Sequence, residues 1–308
     1  MTADRATWRQ ESDSRGGVVT RFAPSPTGQL HPGHAFSALQ AHDHARAHGG
    51  RFLLRIEDID PGRVREAYVA GIIEDLTWLG LRWDGQVARQ SERLPLYADA
   101  LDRLKAAGLA YPCFCTRAAI AAEIAASASA PHAAPQGSDG PLYPGTCRRL
   151  SPADRARRIA GEPHAWRLDM AKAIQDAGPL HWTDLDHGAI AATPEIHGDI
   201  VIARKDAPTS YHLAVTVDDA TQGVTDIIRG ADLRSATHVH RLLQALLGLP
   251  APAYRHHRLL TGPDGKRLAK RDGAKSLAAL RAEGVSAETL RAMLGAQSSG
   301  SIGEKSLP

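Results

Sequence analysis

Two histidines, His31 and His34, bracket a Pro-Gly step within RFAPSPTGQLHPGH. Imidazoles three residues apart can ligate a metal, move protons or donate to phosphate oxygens. The metal reading lacks the acidic third ligand of an H-E-x-x-H helix, and His31 precedes the helix that follows. The phosphate reading fits the setting better, because a strand-to-helix turn offers unpaired backbone N–H groups and the positive end of the helix dipole. Gly28 and Gly33 allow close approach, and Pro32 suits a first helical turn. Neither a G-x-G-x-x-G fingerprint nor a Walker lysine accompanies it. For so short a match, histidines that only cap and decorate a helix are the simplest account.

Two further clusters carry possible chemistry. Cys113 and Cys115 form C-x-C, and Tyr143 with Cys147 forms Y-x-x-x-C. Three cysteines fall one short of an all-cysteine tetrahedral zinc site, so packed thiols are the plain alternative. The segment LLTGPDGKRLAKRDGAKS holds Lys266, Arg267, Lys270, Arg271 and Lys275. Such a run is a solvated face unless a partner motif gives it a task.

The elements that must position these groups follow from local patterns. VVTRFA (Val18 to Ala23) is a β-branched strand closed by Pro24, Pro26 and Gly28. AFSALQAHDHARAHGG has helical apolar spacing and stops at Gly49 and Gly50, and RFLLRIEDID (Arg51 to Asp60) is an apolar strand that finishes in acids. This βαβ unit implies a parallel sheet, a right-handed crossover and a ligand crevice at the strands' carboxyl ends. Residues 66–80 and 94–108 read as helices, LRWDG between them as a short strand or turn, and ATHVHRLLQALLG as a helix ended by Gly248. DIVIAR (Asp199 to Arg204) and VTDIIRG (Val224 to Gly230) read as the sheet resuming, while YHLAVTVDDA fits either strand or helix. An Ala/Ser/Pro-rich insertion separates the two cysteine-bearing ends.

With 308 residues, 43% hydrophobic and 23% charged, the chain has room for an enzyme-sized interior. A net charge of +3 permits a polyanionic partner without requiring one. No run approaches the ~20 apolar residues of a membrane span, and residues 1–17 lack a signal-peptide core, so a cytoplasmic protein is expected. The odd count of three cysteines suits a reduced compartment.

Taken in order, PSPTGQLHPGH, RIEDID, TVDD (Thr216–Asp219), IIRGADL (Ile227–Leu233) and GKRLAKR (Gly265–Arg271) resemble the signatures of class I glutamyl-tRNA synthetases over roughly residues 18–280. HPGH is then similar to the family's HIGH element, and RLAKR to its KMSKS element. The resemblance implies an α/β, Rossmann-like class I aminoacyl-tRNA synthetase catalytic domain with a zinc-binding insertion and a short helical C-terminal part. The expected organisation is a disordered extension (1–17), a first half of the nucleotide-binding domain (18–110), the insertion with the zinc site and acceptor-binding region (111–195), a second half (196–250), the KMSKS-like loop and helical end (251–296) and a disordered tail (297–308).

The resemblance also implies roles. Forming an aminoacyl adenylate puts charge on the α-phosphate as pyrophosphate leaves, which imidazoles at a helix start and a lysine loop can stabilise. His31, His34 and Lys270 are the catalytic candidates, and His31, Gly33, His34 and Lys270 the ATP ligands. Glutamate offers two carboxylates and an ammonium, so its pocket needs cationic forks and an acid. Arg21, Phe22, Ala23, Pro24, Ser25, Glu57, Tyr211 and Arg229 take the places of the family's glutamate ligands. Singly, Arg21 and Glu57 could pair with each other, and Arg229 could be a surface charge. One structural Zn2+ is implied at Cys113, Cys115, Tyr143 and Cys147, with His132 as an alternative fourth ligand, and Mg2+ is implied with ATP.

Only about forty residues follow Lys270, fewer than the helical anticodon-reading domains of a full glutamyl-tRNA synthetase need. Together with the cysteine pattern and the RGADL wording, this is most similar to the glutamyl-Q tRNA(Asp) synthetase family. Its members activate L-glutamate and transfer it to queuosine, the modified wobble base of tRNA(Asp); the expected state is a monomer without membrane partners. The alternatives are a shortened synthetase charging tRNA(Glu), a non-catalytic tRNA- or nucleotide-binding paralogue and, more weakly, a small-molecule nucleotidyltransferase. Against KMSKS, Arg267 replaces the first lysine while Ala269 and Arg271 replace the serines, which keeps charge and removes hydroxyls.

Overall fold

The computed structural model describes residues 17–128, 136–137, 140–260 and 275–298. The sequence VTRF is buried throughout and forms strand β1 (Val19–Phe22). Helix α1 (Pro32–Ala47) buries Ala35, Phe36, Ala38, Leu39, Ala41 and Ala45. Strand β2 (Arg51–Ile56) returns parallel to β1, with Val19 opposite Arg51 and Phe22 opposite Leu54. The return is tight: a Cβ on Gly50 would stand 2.0 Å from the Val18 carbonyl oxygen, so no larger residue fits. Helix α2 (Glu66–Trp78) leads to the short strand β3 (Ala88–Arg89), parallel to β2.

The chain then builds a second compact unit, which comprises Arg93–Gln222 and Ser235–Ala251. It contains α3 (Leu94–Ala106), β4 (Ala110–Cys113), α4 (Arg117–Ala128), the two-residue strands β5 (Gln136–Gly137) and β6 (Gly140–Pro141), and α5 (Pro152–Ile159). There follow β7 (Ala165–Leu168), α6 (Met170–Ala177), the hairpin β8 (His181–Asp184) and β9 (Gly188–Ala191), β10 (Val201–Ala203) and α7 (Tyr211–Thr221). The first unit regains the chain for β11 (Asp226–Gly230), the second takes α8 (Ala236–Leu247), and the first ends with β12 (Ala253–His257), α9 (Leu277–Ala282) and α10 (Ala287–Ser298).

Within the first unit, Thr225 N–H donates to Val19 O at 2.9 Å and Val19 N–H to Thr225 Oγ1 at 2.8 Å, which seats the start of β11 beside β1. β12 lies parallel to β11. The parallel ladders β3-β2-β1 and β11-β12, joined through these Thr225–Val19 bonds, give the strand order of a Rossmann-type sheet. Its topological switch point lies between β1 and β11, where ligands bind outside the carboxyl ends.

Several expectations need correction. Asp199–Arg204 does not resume this sheet; β10 pairs antiparallel with β7, which pairs antiparallel with β4. The cause is a buried anchor. Asp199, 5% exposed, accepts from Tyr111 Oη and from Met170 N at 3.0 Å, while its own carbonyl accepts from Arg167 Nη1 at 2.6 Å. Within the second unit, α3 is tied to α7 and α8. Arg93 Nε and Tyr97 Oη donate to Asp218 at 2.7 and 2.8 Å, and Arg103 Nη2 donates to Leu247 O at 2.7 Å. The ambiguous YHLAVTVDDA is helix α7: Ser210 Oγ caps it by accepting from Leu213 N–H, and Leu213 to Ala220 are all buried. α10 reaches Ser298, two residues into the expected tail. The N-terminal extension to residue 16, His132, residues 299–308 and the loop carrying Lys270 lie outside the described residues.

α9 docks on α2 through Arg281, whose guanidinium reaches Asp75 at 3.1 Å and Glu74 at 2.9 Å. Burial pushes the Asp75 carboxyl up to about 6, against the pull of Arg281. An acid with a raised folded-state pKa costs stability once ionised, so stability is expected to fall as pH rises from about 4 to about 6. Asp75→Asn is expected to flatten that fall, by on the order of 2 kcal/mol, in chemical-denaturation curves taken across this range. Curves of wild type and variant that stay parallel would remove Asp75 as the cause.

Candidate functional site

His31 is the N-cap of α1, and it caps by an unusual route. Its Nδ1 accepts from Gly33 N–H at 3.1 Å, while its own N–H donates to His34 Nδ1 at 3.2 Å, so the two imidazoles form a reciprocal capping box. The ring centroids lie 3.8 Å apart. Gly33 is required for this fold of the ring, since a Cβ there would meet His31 Cε1 at 2.9 Å. Capping and chemistry, alternatives in the sequence, are therefore compatible: Nδ1 of each ring serves the backbone and Nε2 is the remaining ring nitrogen.

The other candidates of this unit lie at the carboxyl ends of adjacent strands. Arg21 is the third residue of β1 and 5% exposed, Glu57 directly follows β2, and Arg229 is the fourth residue of β11 and 4% exposed. Arg229 is therefore not a surface charge. Its Nε donates to His256 Nε2 at 3.3 Å, and its guanidinium lies 5.4 Å from the Tyr254 ring centre. Glu57 accepts from the fully buried Arg55 at 3.3 Å, and its N–H donates to Pro24 O at 3.0 Å, which binds the turn after β1 to the end of β2. Phe22 and Pro24 are buried, Ala23 is half-buried and Ser25 is exposed. Leu277 N–H donates to Leu30 O at 2.9 Å, so α9 begins against the residue before His31. His257 meets Phe36 edge-on at 5.0 Å, and burial lowers its pKa.

Arg55, Tyr254, His256 and His257 escaped sequence reasoning. They flank motif residues in RFLLRIEDID and AYRHH, but their burial is set by strand pairing and has no local signal. Tyr211 belongs to the second unit, as the first residue of α7, with its ring 5.6 Å from that of His240. Lys270 lies outside the described residues.

The second unit brings the cysteine motifs together. The sulfurs of Cys113, Cys115 and Cys147 lie within 4.8 Å of one another. Tyr143 Oη is 3.5 Å from both Cys113 Sγ and Cys115 Sγ and accepts from Cys147 N–H at 3.0 Å. Ligand atoms on a tetrahedral ion with bonds of about 2.3 Å are about 3.8 Å apart, so this four-donor cluster can hold a metal ion with little movement. Without a cation, ionisation is opposed: burial pushes the Cys115 thiol up to about 11 and raises the Tyr143 phenol. Burial also opposes a Cys147 thiolate, but the Phe114 N–H at 3.4 Å and its neighbours outweigh it, and that thiol is lowered. Arg167 stacks 3.9 Å from the Tyr143 ring centre.

Residues 17–302 match the family described as tRNA synthetases class I (E and Q), catalytic domain. The chain is 49% identical to a glutamyl-Q tRNA(Asp) synthetase of Rhodobacter capsulatus over 284 residues, 90% of this chain and 100% of that protein. It is also 49% identical to a glutamyl-Q tRNA(Asp) synthetase of Symbiobacterium thermophilum, over 88% of this chain and 83% of that protein. Among solved structures, a glutamate tRNA ligase from Elizabethkingia meningosepticum in complex with its amino acid superposes with a TM-score of 0.75 at 27% identity. That match covers 90% of this chain but spans only 60% of the ligase.

Proposed function

Because this chain belongs to the catalytic-domain family of class I tRNA synthetases (E and Q), we propose that it activates L-glutamate with ATP and transfers it to queuosine in tRNA(Asp). The observation that carries this reading is the match along the full length of the R. capsulatus glutamyl-Q tRNA(Asp) synthetase. The site chemistry agrees with it. An anion-binding helix start bearing two imidazoles shares one sheet rim with two buried arginines and a carboxylate.

In this reading Arg21 and Arg229 receive the substrate carboxylates, and Glu57 takes the ammonium. Phe22, Ala23, Pro24 and Ser25 shape the rest of the pocket. A carboxylate oxygen of glutamate attacks the α-phosphorus of Mg2+-bound ATP, pyrophosphate leaves, and queuosine then displaces AMP from the adenylate. His31, His34 and Lys270 stabilise the charge on the departing phosphates, with Gly33 giving the backbone close approach. The protein acts as a cytoplasmic monomer; among the described residues no helix is long and apolar enough to cross a membrane.

The test is glutamate-dependent exchange of pyrophosphate into ATP without tRNA, followed by transfer to tRNA(Asp) with and without queuosine and to tRNA(Glu). Exchange, with acceptance by queuosine-bearing tRNA(Asp) only, is expected. Acceptance by tRNA(Glu) alone would sink the proposal.

Cys113, Cys115, Cys147 and Tyr143 would hold one structural zinc ion, whose charge favours the thiolates and phenolate and ties β4 to the turn around Cys147. Arg167 orients this set, stacking on Tyr143 while its Nη1 grips Asp199 O. Arg167→Met is expected to weaken zinc retention against a competing chelator by about 10-fold or more, with Arg167→Lys in between. Equal retention by all three proteins would dismiss the orienting role.

A further inference from the structure

Arg55 is a buried charge to which the glutamate ligands give no task. Residues two apart on a strand share a face, and the register sets Arg21 opposite Leu53, so Arg21, Leu53 and Arg55 lie on one face of the β1–β2 ladder. Thr20, on the other face, donates through Oγ1 to Ala41 O of α1 at 2.8 Å. Arg21 and Arg55 therefore stand on the face turned away from α1. The Arg55 side chain is fully buried and its Nη2 lies 3.3 Å from Glu57 Oε1, while the Glu57 side chain is 10% exposed. Each of the two has further interactions as well. Burying either charge alone is unfavourable, and a guanidinium beside a carboxylate favours its ionised form. Glu57 N–H donates to Pro24 O at 3.0 Å, so the turn after β1 fixes its backbone while Arg55 fixes its carboxylate. A carboxylate has about four acceptor positions, so a bond from Arg55 and one from a substrate ammonium are compatible on one Glu57. The pair carries no net charge, which leaves the pull of Arg21 and Arg229 on an anionic ligand unaltered.

We infer that Arg55 is a positioning residue for the amino-acid site: it holds Glu57 ionised and aimed, so that preference for a dicarboxylate bearing an α-ammonium over one without it depends on a residue that touches no substrate. The inference deepens the glutamate reading above and rests on it. Arginine suits the place because it stays charged when buried and its planar fork keeps one orientation, which a lysine ammonium does not.

Calorimetric binding of L-glutamate and of glutarate, the same dicarboxylate without the ammonium, to the full chain tests this. The wild type is expected to prefer L-glutamate by about 10-fold or more, the worth of one charged hydrogen bond. Arg55→Met is expected to lose about 10-fold or more in affinity for L-glutamate and to stay within about 2-fold for glutarate, with Arg55→Lys in between. In a Glu57→Gln background, which has no carboxylate to hold, Arg55→Met is expected to change L-glutamate affinity by less than about 2-fold. That double variant removes both buried charges together, so no single charge is left orphaned in the fold. Equal losses for both ligands in Arg55→Met, or a full further loss in the Glu57→Gln background, would mean that Arg55 only supports the strand and would overturn the proposal. Should Arg55→Met fail to fold, Arg55→Lys carries the same comparison: a loss confined to L-glutamate supports the role, and equal losses, or none, overturn it. A wild type that binds L-glutamate and glutarate alike would take the ammonium away from Glu57 and the proposal with it. A wild type that binds neither would overturn the glutamate reading itself.

Discussion

His34→Ala is expected to lower glutamate-dependent pyrophosphate exchange by about 100- to 1,000-fold, the usual cost of removing one preorganised donor from developing phosphate charge. Glutamate binding and zinc content are expected to stay within about 2-fold, since the arginines lie on other strands and the thiols in the other unit. A modest stability loss of about 1 kcal/mol accompanies it, because His31 N–H loses the His34 Nδ1 acceptor. Exchange, glutamate affinity by calorimetry and metal content by elemental analysis are the three readouts. Parallel loss of all three would mean that the histidine only holds the helix together.

Asp218→Ala is expected to destabilise the second unit strongly. Asp218 is fully buried and is the common acceptor for Arg93 Nε and Tyr97 Oη, while Arg93 Nη2 also reaches Thr221 Oγ1 at 2.5 Å. Removing the carboxylate leaves a buried hydroxyl and a partly buried guanidinium without their acceptor, at a cost on the order of 3 kcal/mol. A melting temperature lower by about 5–10 °C by calorimetry is the expected reading. Asp218→Asn keeps the volume and one acceptor oxygen, so a smaller drop is expected. A variant that melts with the wild type would show that α3 is held to α7 by apolar packing alone.

TVDD illustrates how a motif can be legible while its work is not. The sequence marks Thr216–Asp219 as a family signature, yet leaves its segment between strand and helix. In the structure Asp218 is a tie to residues more than 120 positions earlier, a contact that no local pattern encodes. The same limit misplaced DIVIAR. An apolar run of strand length states that it will be covered, not by which sheet, and Asp199 with its partners assigned it to β7. Arg167 carried no signal at all in AWRLDM, because its stack on Tyr143 is a contact with a separate segment of the chain.

By itself the sequence determined the βαβ start of the sheet, the helix ends and the glutamyl-type motifs, which rest on spacing or residue type within a few positions, whereas the four candidate metal ligands followed only from the family resemblance. Only the tertiary structure decided that Arg229 is buried, that β10 leaves the parallel sheet, that α3, α7 and α8 share one unit, and that His31 and His34 cap each other. The division has one physical reason. Periodicity and turn chemistry are local energies that the chain carries in its own order, whereas the burial of a charge, the partner of a strand and the proton position on an imidazole depend on which distant atoms complete the environment.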